Sequence, residues 1–407
     1  MKYVAFLFHI YQPPLQRPSV LRGILQRSYI PLFNLLQNEA SFFATVNVPL
    51  SLLAQLESLG HSEFLVKLKH LYTSNKIEFT GTGAYHPLLT KLPSDLVEYQ
   101  ILLQEYALGY YFGFRDSMEG ADAIRIKSLD GFFPPEMSLN NMLLKQLDMF
   151  GYSWVLGDTA HLADNDNKNP GIYHSVNSNA TVIIRDTSLS NMFAFNKDYD
   201  IYPILDYISD LKSDTVVIAL DGETFGEHLK NGISFLHNFI SKAGSYSIKF
   251  CKVSDTLALE KNICELHSLT ESSWGAPIDT ACSNPYPYWS LKGNVLHTHL
   301  WDLFSTLIAY YNTLPKDAAS DLPANASLWN IDTDKDVTAS INFNKLLASD
   351  VFWWASHGSV GSTVLYDVTF IHTWLQSVLE YSSTFFNDIQ SSDVSAKVES
   401  ITALLED

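Results

Sequence analysis

Short apolar runs alternate with longer amphipathic stretches through the first 255 residues, and this rhythm constrains the fold more than any other feature of the chain. Runs at Tyr3–Phe8, Phe42–Val48, Ile77–Thr82, Gly131–Pro134, Trp154–Leu156, Thr181–Arg185 and Thr215–Leu220 read as strands. Helical stretches lie between them. Pro49–Leu59 opens on a proline suited to a first helical turn and closes on Gly60; Asp95–Tyr111 is similarly patterned, and Leu139–Phe150 closes on Gly151. Strand and helix in alternation imply parallel strands joined by crossover helices. The seven units predict an α/β fold with a closed or nearly closed barrel. A doubly wound open sheet is the alternative, but no Gly-x-Gly-x-x-Gly follows an early strand.

From residue 256 the strand signals fade. Leu296–Tyr311, Asn344–Ala355 and Val368–Phe386 carry apolar residues at helical spacing. We therefore expect a barrel over 1–255 and, over 256–407, a helical extension packed on it and contributing aromatic residues to the cleft. Pro315–Asp336, rich in Pro, Asp, Ser and Ala, reads as a surface loop, and the acidic tail from Ser391 as a solvated helix.

The formal net charge of −18 argues against nucleic acid or an anionic membrane as partner, since both reward clustered Lys and Arg. A neutral polymer is not repelled. Aromatic residues make up 13% of the chain; besides filling cores, Trp and Tyr stack on the apolar faces of sugar rings. The cysteines are Cys251, Cys264 and Cys282, an odd, sparse set without a Cys-x-x-Cys pair, which fits a reducing cytoplasm better than a disulfide framework or structural zinc. The opening MKYVAFLF runs into His9 with no small-residue cleavage site and reads as a first buried strand rather than a leader. No run has the length of a membrane span.

In β/α barrels functional groups gather where strands end. The strand ends here carry His9, Tyr11 and Gln12; Tyr85 and His86, after a strand containing Glu78; Glu136; Asp158; Arg185 and Asp186; and Asp221, Glu223 and Glu227. Carboxylates dominate, and no Cys or Ser nucleophile stands with a plausible base. Glu136 follows Pro134-Pro135, which stiffen the backbone behind a carboxylate that must meet a reacting carbon in line. An ordinary helix-start glutamate is the alternative. Asp221 ends the apolar run Val216–Leu220, where burial and the neighbouring Glu223 and Glu227 would raise its pKa, as a general acid requires. Its alternative is a helix N-cap.

Five blocks in order resemble glycoside hydrolase family 57: His-Ile-Tyr-Gln-Pro at 9–13, Ile-Glu-Phe-Thr-Gly-Thr-Gly-Ala-Tyr-His-Pro at 77–87, Gly-Phe-Phe-Pro-Pro-Glu-Met at 131–137, Arg-Asp-Thr-Ser-Leu-Ser at 185–190 and Asp-Gly-Glu-Thr-Phe-Gly-Glu-His at 221–228. Ser272-Ser273-Trp274, Trp289 and Ser349-Asp350-Val351-Phe352-Trp353-Trp354 resemble that family's helical region. The resemblance implies a (β/α)7 barrel with a helical extension and retaining chemistry on α-glucans or maltooligosaccharides, with no cofactor and no metal. Glu136 matches the catalytic nucleophile and Asp221 the general acid/base. His9, Gln12 and Glu78 match positions lining the subsite of the cleaved sugar, with Tyr11, Arg185 and Glu223 as further contacts. His86 and His228 are either ligand contacts or core histidines. Trp274 and Trp289 are candidate stacking platforms, whereas core packing is the simpler reading of Trp353 and Trp354.

One departure stands out. The family's first block usually reads His-x-His-Gln-Pro, and here the second histidine is Tyr11, which donates a hydrogen bond but does not become cationic near neutral pH. Cleavage of α-1,4 bonds in the manner of an α-amylase is the first functional expectation. A 4-α-glucanotransferase or branching-type transglycosylase is the alternative, and a catalytically silent glucan-binding homologue is a third. A metal-dependent mannosidase-like or deacetylase-like enzyme would need His and Asp converging on one ion, but His9-x-Tyr11 offers no Asp at ligand spacing.

Overall fold

The structure, a computed structural model, describes residues 1–113, 129–165, 167–314, 335–356 and 367–406. Its strands are β1 (Lys2–His9), β2 (Ala44–Asn47), β3 (Ile77–Phe79), β4 (Gly131–Phe132), β5 (Trp154–Gly157), β6 (Gly171–Ser175), β7 (Thr181–Ile184), β8 (Thr215–Asp221), β9 (Ile248–Cys251) and β10 (Cys264–Leu266). Each of the seven expected strands appears, several shortened at the end where the chain turns off to build the site. The three unexpected ones, β6, β9 and β10, are short and interrupted by polar His174, Lys249 and Glu265, which hides their period. β10 carries strand pairing past residue 255.

Two five-stranded sheets form, β3-β2-β1-β8 with β9 against β1, and β10-β6-β7-β5-β4. Every pairing is parallel except β6 with β7. Beyond β3, Gly81 donates to Gly131 and accepts from Phe133, both at 2.9 Å, and so joins the sheets at one end. At the other end β6 covers the edge of β7, and the joint is made just past it, where Asp186 N donates to Val217 O at 2.9 Å. The pairings thus run in a circuit through β1, β2, β3, β4, β5, β7 and β8.

Side-chain parity along these strands positions everything that follows, because alternate residues face opposite sides. Phe6 and Phe8 of β1, Ile218 and Leu220 of β8, and Val182 and Ile184 of β7 pack outward in the main core, with the surrounding helices. Ala5 and Leu7, Val217 and Ala219, Leu156 and Ile183 face inward and form a small separate core. Continuing the inward parity to the strand ends gives His9, Asp221, Asp158 and Arg185. Packing inside the circuit leaves no slack at Gly131, where an added Cβ would sit 1.9 Å from Trp154 Cζ2. We expect Gly131→Ala to cost about 1–3 kcal/mol, read as a lower denaturation midpoint at unchanged slope; an unchanged midpoint would show that the Trp154 ring has room to move.

The C-terminal region supplies helices Val295–Tyr311, Lys335–Leu346, Asp350–Trp354, Val368–Phe385 and Asp388–Glu406. Their core holds Phe304, Phe343, Phe352, Trp374 and Val378, and it also takes in Leu88 and Leu96 from the segment after β3, which fixes the helices on that side of the sheets. The stretch expected as one helix over 344–355 is instead broken at 347–349, because Ser349 N donates to His86 O (3.1 Å) rather than continuing the helical ladder. The tail buries Val394, Val398 and Ile401, so it packs against its neighbours instead of standing in solvent. Residues 315–334 of the expected surface loop lie outside the described residues. No helix among the described residues is long and apolar enough to cross a membrane.

Candidate active site

His9 and Asp221 are Cα partners at the paired ends of β1 and β8, so one rung brings together the first histidine and the last aspartate of the strand-end set. His9 Nδ1 lies 2.7 Å from Asn47 Oδ1, and Asn47 Nδ2 donates to Thr80 Oγ1 at 2.9 Å, giving the ring a fixed orientation across three strands. The ring also stands in a column. Phe133 stacks on His9 at 4.9 Å, His9 on His86 at 4.9 Å, and His86 on Tyr11 at 4.1 Å. Burial pushes His86 well below the usual histidine range, and His9 is lowered for the same reason, partly offset by the charge of Asp221. Near neutral pH the column is uncharged.

Glu136 projects from a short turn closed by Met137 N donating to Pro134 O (2.8 Å). Its φ is 57° and that of Met137 is 46°, a left-handed conformation that costs non-glycine residues on the order of 1 kcal/mol or more each. Such strain persists only where the surroundings impose it, and here they do. Trp274 donates to Glu136 twice, from its backbone N to the carbonyl (3.1 Å) and from indole Nε1 to Oε2 (2.9 Å). Ser349 Oγ donates to Oε1 at 3.1 Å, and His86 Nδ1 lies 3.6 Å from the same oxygen. Glu136 is buried, and burial together with the charges of Asp350 and Asp221 pushes its carboxyl up to about 8; the Trp274 and Ser349 bonds oppose this. Asp350, held by the Tyr11 hydroxyl at 2.5 Å, is itself pushed by burial to about 7. Glu136 and Asp350, both buried and both raised, do not both ionise fully at neutral pH.

Several expected site residues are placed differently. Asp221 is half-buried, not enclosed as expected, and Glu227 is drawn away from it by an ion pair with Arg27 on the surface. Glu223 turns inward to accept from Gln12 Nε2 (2.8 Å) and from the Tyr29 hydroxyl, and burial and the Asp221 charge raise it. Gln12 is thereby spent on Glu223 and Gln16. Glu78 pairs with Thr45, which is level with Leu7, one inward layer beneath His9. It accepts from Thr45 Oγ1 (2.7 Å) and Ser254 N (3.0 Å), partners within the protein rather than at the strand-end rim. Arg185 is buried and committed to Asp158 Oδ2 (2.7 Å) and Ala219 O (2.6 Å), with its guanidinium 5.3 Å from the Trp274 ring centre. His228 is exposed. Trp289 is fully buried among the C-terminal helices, not a platform, and its Nε1 has no hydrogen-bond partner among the described residues. Trp274 acts through its N–H on Glu136.

Ser349 and Asp350 were the residues that sequence reasoning did not assign to the site. Their signal was present in the Ser-Asp pair before an aromatic run, a pattern that starts helices, but apolar spacing on both sides masks the break. Among the described residues no three His, Cys, Asp or Glu side chains converge as metal ligands would.

The family model described as glycosyl hydrolase family 57 matches residues 5–265. No curated protein matches the chain by sequence. Among solved structures, the chain is similar to the 4-alpha-glucanotransferase from Thermococcus litoralis, with TM-score 0.65 and 17% identity, covering 94% of this chain but 59% of that one. It is similar to the GH57-type branching enzyme from Pyrococcus horikoshii, with TM-score 0.65 and 15% identity over 98% of this chain and 94% of that one. The alpha-amylase AmyC from Thermotoga maritima gives TM-score 0.63 and 12% identity over 98% and 97%. At these identities the structural likeness speaks for the fold. The family match takes in well over half of the sequence, and by it the chain belongs to glycosyl hydrolase family 57.

Proposed function

We propose that the protein is a retaining enzyme of α-glucans that cleaves α-1,4 glucosidic bonds in the manner of an α-amylase, with Glu136 as nucleophile and Asp221 as general acid/base. The observation that carries this reading is the carboxylate of Glu136, aimed by a strained backbone, held by Trp274 and Ser349, and within electrostatic reach of Asp221. In the first step a Glu136 oxygen attacks the anomeric carbon, the bond to the leaving sugar oxygen breaks, and Asp221 gives that oxygen its proton. In the second, water attacks the same carbon, Asp221 takes the proton, and the bond to Glu136 breaks. Attack requires Glu136 to be ionised while Asp221 carries the proton it will give. Positive charge developing at the anomeric carbon favours that arrangement.

The fold shared with a 4-alpha-glucanotransferase and a branching enzyme favours a second reading, in which a sugar hydroxyl replaces water in the second step. A maltooligosaccharide ladder separates the two: only shorter products mean hydrolysis, new longer ones mean transfer. Binding of α-glucan with no turnover after long incubation would leave a silent homologue.

The indole donor gives a sharper expectation. Trp274→Phe deletes the bond to Glu136 Oε2, one of the contacts that favour the anion. A hydrogen bond to a charged group contributes about 1.5–3 kcal/mol, so kcat should fall roughly 10–100-fold. Losing a contact that lowers the Glu136 pKa raises it, so the acid limb of kcat/KM should move to higher pH. An unchanged profile would mean that Trp274 does not act on the nucleophile.

A further inference from the structure

Ser349 and Asp350 are consecutive, yet they serve different partners. Ser349 Oγ reaches Glu136 Oε1 at 3.1 Å, while Asp350 Oδ2 accepts from the Tyr11 hydroxyl. The turn they form is tied to the strand-end face at three points: Ser349 N to His86 O, Ser349 Oγ to Glu136, and Asp350 to Tyr11. Tyr11 is itself fixed, since its ring stacks on His86 and its carbonyl oxygen lies 3.1 Å from the buried Tyr29 hydroxyl.

We propose that Tyr11 is a positioning residue for the nucleophile: by holding Asp350, its hydroxyl sets where the Ser349–Asp350 turn lies against Glu136, and so sets the orientation and charge surroundings of that carboxylate. This rests on the reading of Glu136 as nucleophile, and it gives the tyrosine at this place in the first block a task that does not require contact with sugar. The geometry fits a neutral donor, for the hydroxyl supplies a hydrogen bond without adding a cation beside Glu136. The groups facing Glu136 are His86 from the segment after β3, Tyr11 at the end of β1, Asp221 at the end of β8, Trp274 after β10, and Ser349 with Asp350. Of these, only Asp350 and Asp221 bring negative charge to it, and only Asp350 is held by Tyr11.

Directions follow from that arrangement. The Tyr11 bond favours ionised Asp350. Without it Asp350 keeps its proton to higher pH, the like charge near Glu136 weakens, and Glu136 ionises at lower pH. Tyr11→Phe deletes one oxygen and keeps the ring on His86. It should lower kcat, through the loosened turn, and move the acid limb of kcat/KM down by about one pH unit, opposite to the direction expected for Trp274→Phe. Asp350→Asn should move it the same way, and Tyr11→Phe should add nothing in that background. The carboxyl titration of Glu136, followed by 13C NMR and assigned with Glu136→Gln, gives the same comparison without any substrate. Matching downward displacements in Tyr11→Phe and Asp350→Asn, not additive in the double variant, are the expected result. An unmoved titration in folded Tyr11→Phe, or additive displacements, would overturn the inference. If no α-glucan is turned over but the titrations move as described, the functional reading falls and the positioning of Glu136 by Tyr11 stands.

Discussion

Glu136→Ala is expected to lower kcat on α-glucans by roughly 10⁴–10⁶-fold, as loss of a nucleophile does, and azide is expected to restore turnover with a β-glycosyl azide as product. The small anion occupies the space vacated by the carboxylate and attacks the same face of the sugar, so the α-linked substrate yields a product of opposite configuration. Chromatography and 1H NMR of the azide adduct read the outcome. Glu136→Gln separates catalysis from folding. The wild-type carboxyl is held up to about 8, far above an unfolded glutamate, so its charged form opposes folding. Its contribution to stability is fully present below the unfolded pKa and is lost as pH rises through the folded one. The glutamine variant should therefore be inactive and yet unfold at higher temperature than wild type at pH 8, with the difference shrinking toward pH 5. A variant that is both inactive and less stable at pH 8 would mean that Glu136 holds the fold together instead of working against it.

Asp221→Ala is the second large effect, and it depends on the leaving group. On α-glucan the departing sugar oxygen needs a proton, and removing a general acid costs about 10²–10⁴-fold. On α-glucosyl fluoride the leaving fluoride needs none, so the first step should survive and glycosyl-enzyme should accumulate. Azide should then attack that intermediate from the opposite face and release the α-glycosyl azide. The two alanine variants thus give azides of opposite configuration. The same azide from both, or the reverse assignment, would exchange or abolish the proposed roles.

Much of this was readable from the chain because strand parity is a local property. Ala5, Leu7 and His9 alternate with Val4, Phe6 and Phe8, and Val217, Ala219 and Asp221 alternate with Val216, Ile218 and Leu220, so the inward polar ends follow from the sequence once the strands are recognised. The stiff Pro134-Pro135 approach to Glu136 was legible in the same way. Parity does not report height, and so Glu78, on the inward face, sits one layer too deep to face the strand ends. Nor does it report which partner takes up a polar group. Gln12 and Arg185 are drawn to Glu223 and to Asp158 with Ala219, residues distant in sequence. Ser349 and Asp350 were hidden for another reason. Apolar spacing at Phe343, Leu346, Leu347, Val351 and Phe352 runs on through the break, which exists only because His86 O captures Ser349 N.

The role of Glu136 is most directly tested by trapping. Asp221→Ala enzyme is incubated with α-maltosyl fluoride, quenched in acid, and examined by intact mass and peptide mapping. A single maltosyl adduct on Glu136 is the expected result. An adduct on Asp350 or another carboxyl, or turnover of the fluoride directly to β-maltose with no adduct, would contradict nucleophilic attack by Glu136.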